Sequence, residues 1–400
     1  MLFGGAAVDD ILSQGGDREP SPWPRRLAVI AALIVVVGAG AFYLSRPHPA
    51  HAPVAAPTAS ATASAAPIGP SGITGRTLPW ATSLRLPITG MQPVWFSPAS
   101  GDSAPIGGLP DVNSGYQFTR TDGGWAVQAN PAGLLECSGC AKPSMPVWFL
   151  ADGARSVTRV GTATLVAPSA TAGAVWLTNY LPGLSMATTA GVAQEVSSTG
   201  ASLQAPVKLP AGYLIDQATD RGLLLAPVDQ QPGTTADKLW NPAAPRDSRT
   251  FTGVIAASPT EIAWTLPCVS TCRVQVLDLA TDRSTVVALP AGSSVASAAF
   301  SPSDGLLALQ VSSASTGDEG ALAMQIDVAS VPSGRLTVVP GTFVSSDALV
   351  GFGWPSSGDS LVAEFIFTAK EQLASWHPGA TRPAVTVVRP GITQASLILG

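Results

Sequence analysis

A phrase that occurs twice constrains this chain more than anything else in it. Residues 295–311, VASAAFSPSDGLLALQV, alternate small and apolar side chains up to Phe300, break at Ser-Pro-Ser-Asp-Gly, and resume an apolar run at Leu306. That is the pattern of two short antiparallel strands joined by a tight turn, with Phe300 and Leu307 facing a core. About fifty residues later the phrase returns as FGWPSSGDSLVAEFIF, residues 352–367, with Trp354 in place of the phenylalanine and Gly358-Asp359 at the turn. One such hairpin cannot bury its apolar face alone, whereas copies stacked side by side can.

Residues 77–400 keep this character. Apolar runs of four to eight residues lie between Gly, Pro or Asp clusters, and no segment shows helical periodicity over ten residues. Strands run out into proline or glycine at Pro110, Gly161, Pro210, Gly253, Pro290, Pro340 and Pro390, marks spaced by 37 to 51 residues. This spacing predicts an all-β fold, a β-propeller of about seven four-stranded blades. Six or eight blades and a pair of β-sandwiches are the alternatives. Tryptophan recurs in the third strand of the repeats (Trp95, Trp148, Trp240, Trp376) and in the second (Trp125, Trp176, Trp264). That placement reads as packing between blades, not as a platform for a ligand. The first mark comes too early for four strands, so ITQASLILG, residues 392–400, is expected to complete the first blade and close the ring without an open edge.

The two hairpins resemble the W-S-P-D-G-x-x-L-A-F repeat of TolB-like and WD40-like propellers, without the Trp-Asp dipeptide of WD40 repeats. The resemblance implies the same propeller fold, and such folds host both binding proteins and enzymes. Arginine outnumbers lysine, with only Lys142, Lys208, Lys238 and Lys370, and alanine is abundant. That usage looks like a high-GC actinobacterium, hence a bacterial protein.

Ahead of the β-rich part, residues 1–26 are polar, glycine-rich and broken by Pro20, Pro22 and Pro24, which predicts a disordered tail. Residues 27–44, LAVIAALIVVVGAGAFYL, carry no charge. At 1.5 Å per residue they match a hydrocarbon core of about 30 Å, so a single transmembrane helix is expected, with the lipid bilayer as its partner. Arg18, Arg25 and Arg26 precede it and only Arg46 closely follows, which places the N-terminus in the cytoplasm and the C-terminal part outside, at the cell membrane. A cleavable signal peptide ending at Ala50-His51-Ala52 competes with the signal-anchor, but the apolar run is long for one and Pro53 follows the site. Arg25-Arg26 lacks the flanks of a twin-arginine export motif. Residues 45–76 are a Pro/Ala/Ser/Thr spacer with too little apolar surface to offset ordering entropy. His48 and His51 lie in it, and a flexible spacer does not preorganise metal ligands.

Few residues carry chemistry. Cys137 and Cys140, and Cys268 and Cys272, form two local pairs about 130 residues apart. In an oxidising compartment they are expected to close as two short disulfides in preference to a shared zinc site or a redox-active C-x-x-C. Ser185, in Gly-Leu-Ser-Met-Ala, approaches a nucleophile elbow, but no helix follows, which makes it a turn residue. Asp122, Asp220, Asp282, Asp304 and Asp359 fall where turns are predicted, the place for side chain to backbone hydrogen bonds. The formal charge is −5 and no basic stripe exists, which argues against nucleic acid as a partner. No cofactor motif is present. These features predict a membrane-tethered, extracytoplasmic propeller that binds an envelope protein, peptide or glycan as a scaffold or sensor, without catalysis. The alternative is an envelope enzyme, lactonase- or hydrolase-like, with a metal in the propeller channel. Three or more converging carboxylates in the channel would favour the second.

Overall fold

The computed structural model describes residues 80–388 except 82, 89–91, 131–140, 229–235, 269–270, 304, 315–321, 346–347, 356–359 and 368–369. The expected tail, transmembrane helix and spacer, the Cys137–Cys140 pair and the closing strand 392–400 all lie outside the described residues. So do Asp304 and Asp359. Among the described residues no helix is long and apolar enough to cross a membrane.

Among the described residues every regular element is a strand, and each of the seven sheets is an antiparallel meander taken in chain order. The first blade holds β1 (Leu86–Ile88), β2 (Val94–Ser97) and β3 (Asp102–Pro105). The second holds β4 (Tyr116–Thr121), β5 (Gly124–Ala129), β6 (Met145–Ala151) and β7 (Thr158–Ala163). The third runs β8 (Leu165–Pro168), β9 (Ala174–Asn179), β10 (Val192–Ser197), β11 (Val207–Lys208), and the fourth β12 (Tyr213–Thr219), β13 (Gly222–Pro227), β14 (Asp237–Trp240), β15 (Arg249–Phe251). In the fifth are β16 (Val254–Ala257), β17 (Glu261–Leu266), β18 (Arg273–Asp278) and β19 (Arg283–Ala288). The sixth has β20 (Ser293–Phe300), β21 (Leu306–Ala314), β22 (Leu322–Ser330) and β23 (Arg335–Val338), with a short fifth strand, β24 (Val344–Ser345), also paired to β22. β25 (Leu349–Gly353), β26 (Leu361–Phe367), β27 (Lys370–Trp376) and β28 (Ala384–Val388) complete the seventh. This is a seven-bladed β-propeller of four-stranded blades. Three strands are described in its first blade, and a fifth is added to its sixth.

Alternation along each strand puts apolar side chains on both faces of a blade, and both faces are covered by the neighbouring blades. The buried side chains accordingly fall into seven clusters, one per blade-to-blade interface. Trp95, Trp125 and Trp148 pack between the first and second blades. Trp176 and Trp240 pack between the third and fourth, and Trp376 between the sixth and seventh. Trp264 lies half-buried against the cluster joining the fourth and fifth. The ring closes through Trp80, Leu86, Ile88 and Phe96 of the first blade against Val362 and Leu373 of the seventh. Of the proline and glycine marks read from the sequence, Pro110, Pro210, Gly253 and Pro290 lie in blade-to-blade connections. Gly161 lies near the end of β7, and Pro340 lies between β23 and β24.

Among the buried polar side chains of the described residues, Asp327 is the most completely enclosed. Asp327 of β22 stands directly opposite Leu309 and so shares the face that packs on the fifth blade, with no exposed surface. Gln325 Nε2 donates to its Oδ1 at 2.5 Å, while Oδ2 has no hydrogen-bond partner. Burial pushes its carboxyl up to about 6, the bond from Gln325 only partly opposing this. The fold therefore holds the proton more tightly than the unfolded chain does. Stability is lost as pH rises from the ordinary 3.8 through about 6, and the loss stays at higher pH. Asp327→Asn should raise stability above pH 6 by on the order of 2 kcal/mol and flatten the slope between pH 4 and 6. Urea melts across that range test it. A variant less stable at pH 7.5 than the parent would show that the carboxylate has a compensating role.

Candidate functional site

The first strands of the blades surround a central channel, and at the end where they run out it widens into a cavity of about 790 Å³. Its wall comes from β4, β12, β16 and β20, from Pro168 at the end of β8, from the turns that follow these strands, and from Trp354 just after β25. The site is thus assembled from six blades, each contributing a few residues.

A repeated device builds the rim. The first strand of blades two to six ends on a buried hydroxyl or is followed by one: Thr121, Ser169, Thr219, Ser258 and Ser301. In four of these the oxygen accepts the amide two residues on, from Thr171 (3.0 Å), Arg221 (3.2 Å), Thr260 (3.3 Å) and Ser303 (3.4 Å). Thr121 instead donates to the Ala174 carbonyl of the next blade at 2.8 Å. Ser169 also donates to the buried Glu195, whose other oxygen takes Gln204 Nε2 at 2.6 Å. Such local bonds hold a tight turn without glycine at its start. Neighbouring turns are then tied together: Gly173 N donates to Asp122 O and Asp220 N to Pro259 O, each at 2.8 Å. The turns of blades two and three, and of four and five, are thus held to each other before any ligand arrives.

A second repeat sits just inside it. The first strands of blades four to seven each carry a one-residue register shift against the second strand, between Ile215 and Gln217, Val254 and Ala256, Val295 and Ser297, and Leu349 and Gly351. A bulge leaves its extra residue unpaired and re-aims it. In the fourth blade that residue is Asp216, which lines the cavity beside Gln217 and Asp220; in the fifth it is Ile255. Protein around the channel desolvates Asp216 and raises its carboxyl above the usual range, although the side chain still reaches channel solvent. Asp237 at the start of β14 is pushed up to about 6 by burial and then by the charge of Asp216, against backbone hydrogen bonds from Val254 and its own amide.

The turn aspartates depart from the sequence expectation. Asp122 and Asp220 do occupy turns, but the Thr219 hydroxyl makes the local bond beside Asp220, the Thr121 hydroxyl beside Asp122 reaches across to the next blade, and both aspartates line the cavity. Asp282 pairs with Arg249 at 2.8 Å on the outer surface, away from the channel. It is Asp278 that builds a turn, accepting the amides of Ala280 and Thr281 at 2.8 and 3.0 Å. The one cation on the wall, Arg120, is committed elsewhere. Its two terminal nitrogens sit 2.7 and 3.0 Å from the Asp152 carboxylate, and its guanidinium lies 4.9 Å from the Trp125 ring centroid. Arg221, next to Asp220, is spent on the carbonyls of Leu279 and Ala280 in the fifth blade.

Ser185 lies in a turn where its carbonyl takes the amides of Thr188 and Thr189, and it is not on the cavity wall. Cys268 and Cys272 are bonded to each other just ahead of β18, with Cα atoms 4.6 Å apart. Phe300 is half-buried and lines the mouth, whereas Leu307 is fully buried. Among the described residues no three of His, Cys, Asp and Glu come together as metal ligands would.

No protein-family model and no curated protein matches this chain. Among solved structures it is similar to TolB from Acinetobacter baumannii, with 10% identity and TM-score 0.38, over 67% of this chain and 66% of that one. The chain thus spans about two thirds of the length of that TolB. It is similar to the β-propeller domain of the Trilobed protease from Pyrococcus furiosus, with 9% identity and TM-score 0.46, over 74% of this chain and 89% of that domain. A protein from Lactobacillus plantarum aligns at 11% identity and TM-score 0.44, over 76% and 95% of the two chains. These likenesses are too distant to bear on activity, and the propeller is read from its own sheets.

Proposed function

We propose that this protein is a non-enzymatic binding propeller of the cell envelope, held outside the membrane by residues 27–44 and a spacer at 45–76, and that its ligand enters the mouth of the channel. The observation that carries the reading is the mouth itself: an open cavity of about 790 Å³, within the roughly 300–1,000 Å³ range of ligand pockets, on a rim fixed by hydroxyl turns and cross-blade bonds. Such a rim accepts a ligand with little ordering cost. The membrane part rests on the uncharged run and the arginines before it. In the oxidising space outside, both cysteine pairs close within themselves.

Ala170 stands on the cavity wall in the turn after β8, half-buried beside the cluster between the third and fourth blades, so Ala170→Trp should crowd the mouth. Crosslinking capture from envelope extract should lose with this variant the partners that wild type retains. Identical captures would remove the channel mouth from the function.

The topology has its own test. Protease added to intact spheroplasts should digest the propeller, and peptide mapping of the same material without reduction should give links 137 to 140 and 268 to 272. Shielding of the propeller until lysis would reverse the orientation, and free thiols would remove the disulfides.

A further inference from the structure

We infer that the mouth selects a cationic, extended polypeptide segment, whose lysine or arginine side chains neutralise Asp122, Asp216 and Asp220. The inference rests on the binding reading above and deepens it. Three carboxylates line one cavity, and none of them has a hydrogen-bond donor or a cation among the described residues. Both nearby arginines are held by other partners: Arg120 by Asp152, Arg221 by carbonyls of the fifth blade. The cavity therefore presents three carboxylates while the cation on its wall, Arg120, is already paired with Asp152, and the concave wall concentrates their field.

The placement is built into the backbone. Asp216 is the extra residue of a bulge whose equivalents in the next two blades are Ile255 and Ala296. Asp122 and Asp220 sit in turns whose own backbone atoms are bonded across to the neighbouring blade. The acids stand on the second and fourth blades, with the turn of the third between them. A single small amine meets one side of that arrangement; a chain carrying several cations meets both. The rest of the wall suits the body of such a chain, because the half-buried Ile255 and Phe300 offer apolar surface to the aliphatic stems of lysine or arginine.

The experiment uses purified full-length protein in detergent micelles and a fluorescein-labelled alternating lysine–alanine peptide, with glutamine–alanine and glutamate–alanine peptides of equal length, read by anisotropy at low salt. The lysine peptide should bind about ten-fold or more tightly than the glutamine peptide, the glutamate peptide should not bind, and added salt should weaken the complex. Asp216→Asn with Asp220→Asn should lose about ten-fold or more in affinity. Asp220→Asn alone, at an exposed turn, covers the case in which the double variant folds poorly. Asp247→Asn makes the same charge change on an exposed turn outside the cavity wall and should bind as wild type does. Equal binding by the Asp220 variant, or an equal loss with Asp247→Asn, overturns the inference. Preference for the glutamine or glutamate peptide at a site closed by Ala170→Trp also overturns it and leaves the binding reading standing. If no peptide binds while Ala170→Trp captures the same envelope partners as wild type, both fall.

Discussion

Removing residues 392–400 is expected to leave a protein that aggregates, or that melts far below the intact one. The seventh blade is complete at Val388, and the first blade has β1, β2 and β3, with β1 unpaired on its inner side among the described residues. Every other blade places one more strand there, next to the channel. Residues 392–400, ITQASLILG, read as a strand in the sequence and follow the seventh blade. We propose that they fill this position. Without them β1 presents a row of free amides and carbonyls, the template on which sheets grow between molecules. The lost pairing would join the two ends of the folded chain, so its absence should cost several kcal/mol, against about 0.5 kcal/mol for ordinary surface changes. Light scattering and a thermal melt of the truncated protein decide the matter. Unchanged melting would mean that the first blade stands on three strands and on the packing of Trp80, Leu86, Ile88 and Phe96 against the seventh blade.

Phe365→Ala should be the most damaging single substitution in the described core, at about 3–5 kcal/mol. Phe365 has no exposed surface, and its ring lies nearly parallel to that of Phe367, at 14° and 6.3 Å between centroids. It packs in the cluster between the sixth and seventh blades together with Phe352, Trp354 and Trp376. These large, rigid neighbours cannot collapse into the space, so the cavity term adds to the lost transfer energy. Chemical denaturation of the variant gives the number. A loss below about 1 kcal/mol would show that the interface relaxes around the missing ring.

The ring and its blade boundaries were legible in the sequence because they depend on local chemistry. Pro110, Pro210, Gly253 and Pro290 stop strands wherever they occur, and tryptophans at matching strand positions announce faces covered on both sides. The mouth was not legible, for two physical reasons. Its wall is gathered from six blades spread over more than two hundred residues, so no stretch of sequence holds enough of it to form a pattern. The feature that aims Asp216 is a single unpaired residue, and a bulge in a strand of mixed polarity leaves no mark on the alternation. Asp122 and Asp220 misled for a different reason. Aspartate in a turn ordinarily satisfies that turn, but here the Thr219 hydroxyl takes the turn amide beside Asp220, and the Thr121 hydroxyl beside Asp122 bonds to the next blade. Asp327 gave no signal at all, since its burial is decided by a neighbouring blade.

The bulges have a consequence for how such a molecule can change. A residue in a regular strand of a blade is bound by the pleat: replacing it alters packing on one side or pairing on the other. The extra residue of a bulge is excused from the pairing, and Asp216, Ile255 and Ala296 occupy such positions in three successive blades. The character of the channel can therefore drift one blade at a time, between acidic and aliphatic, while the sheets that carry it stay as they are. A lineage of these rings could exchange one ligand for another through substitutions that leave every strand pair in register.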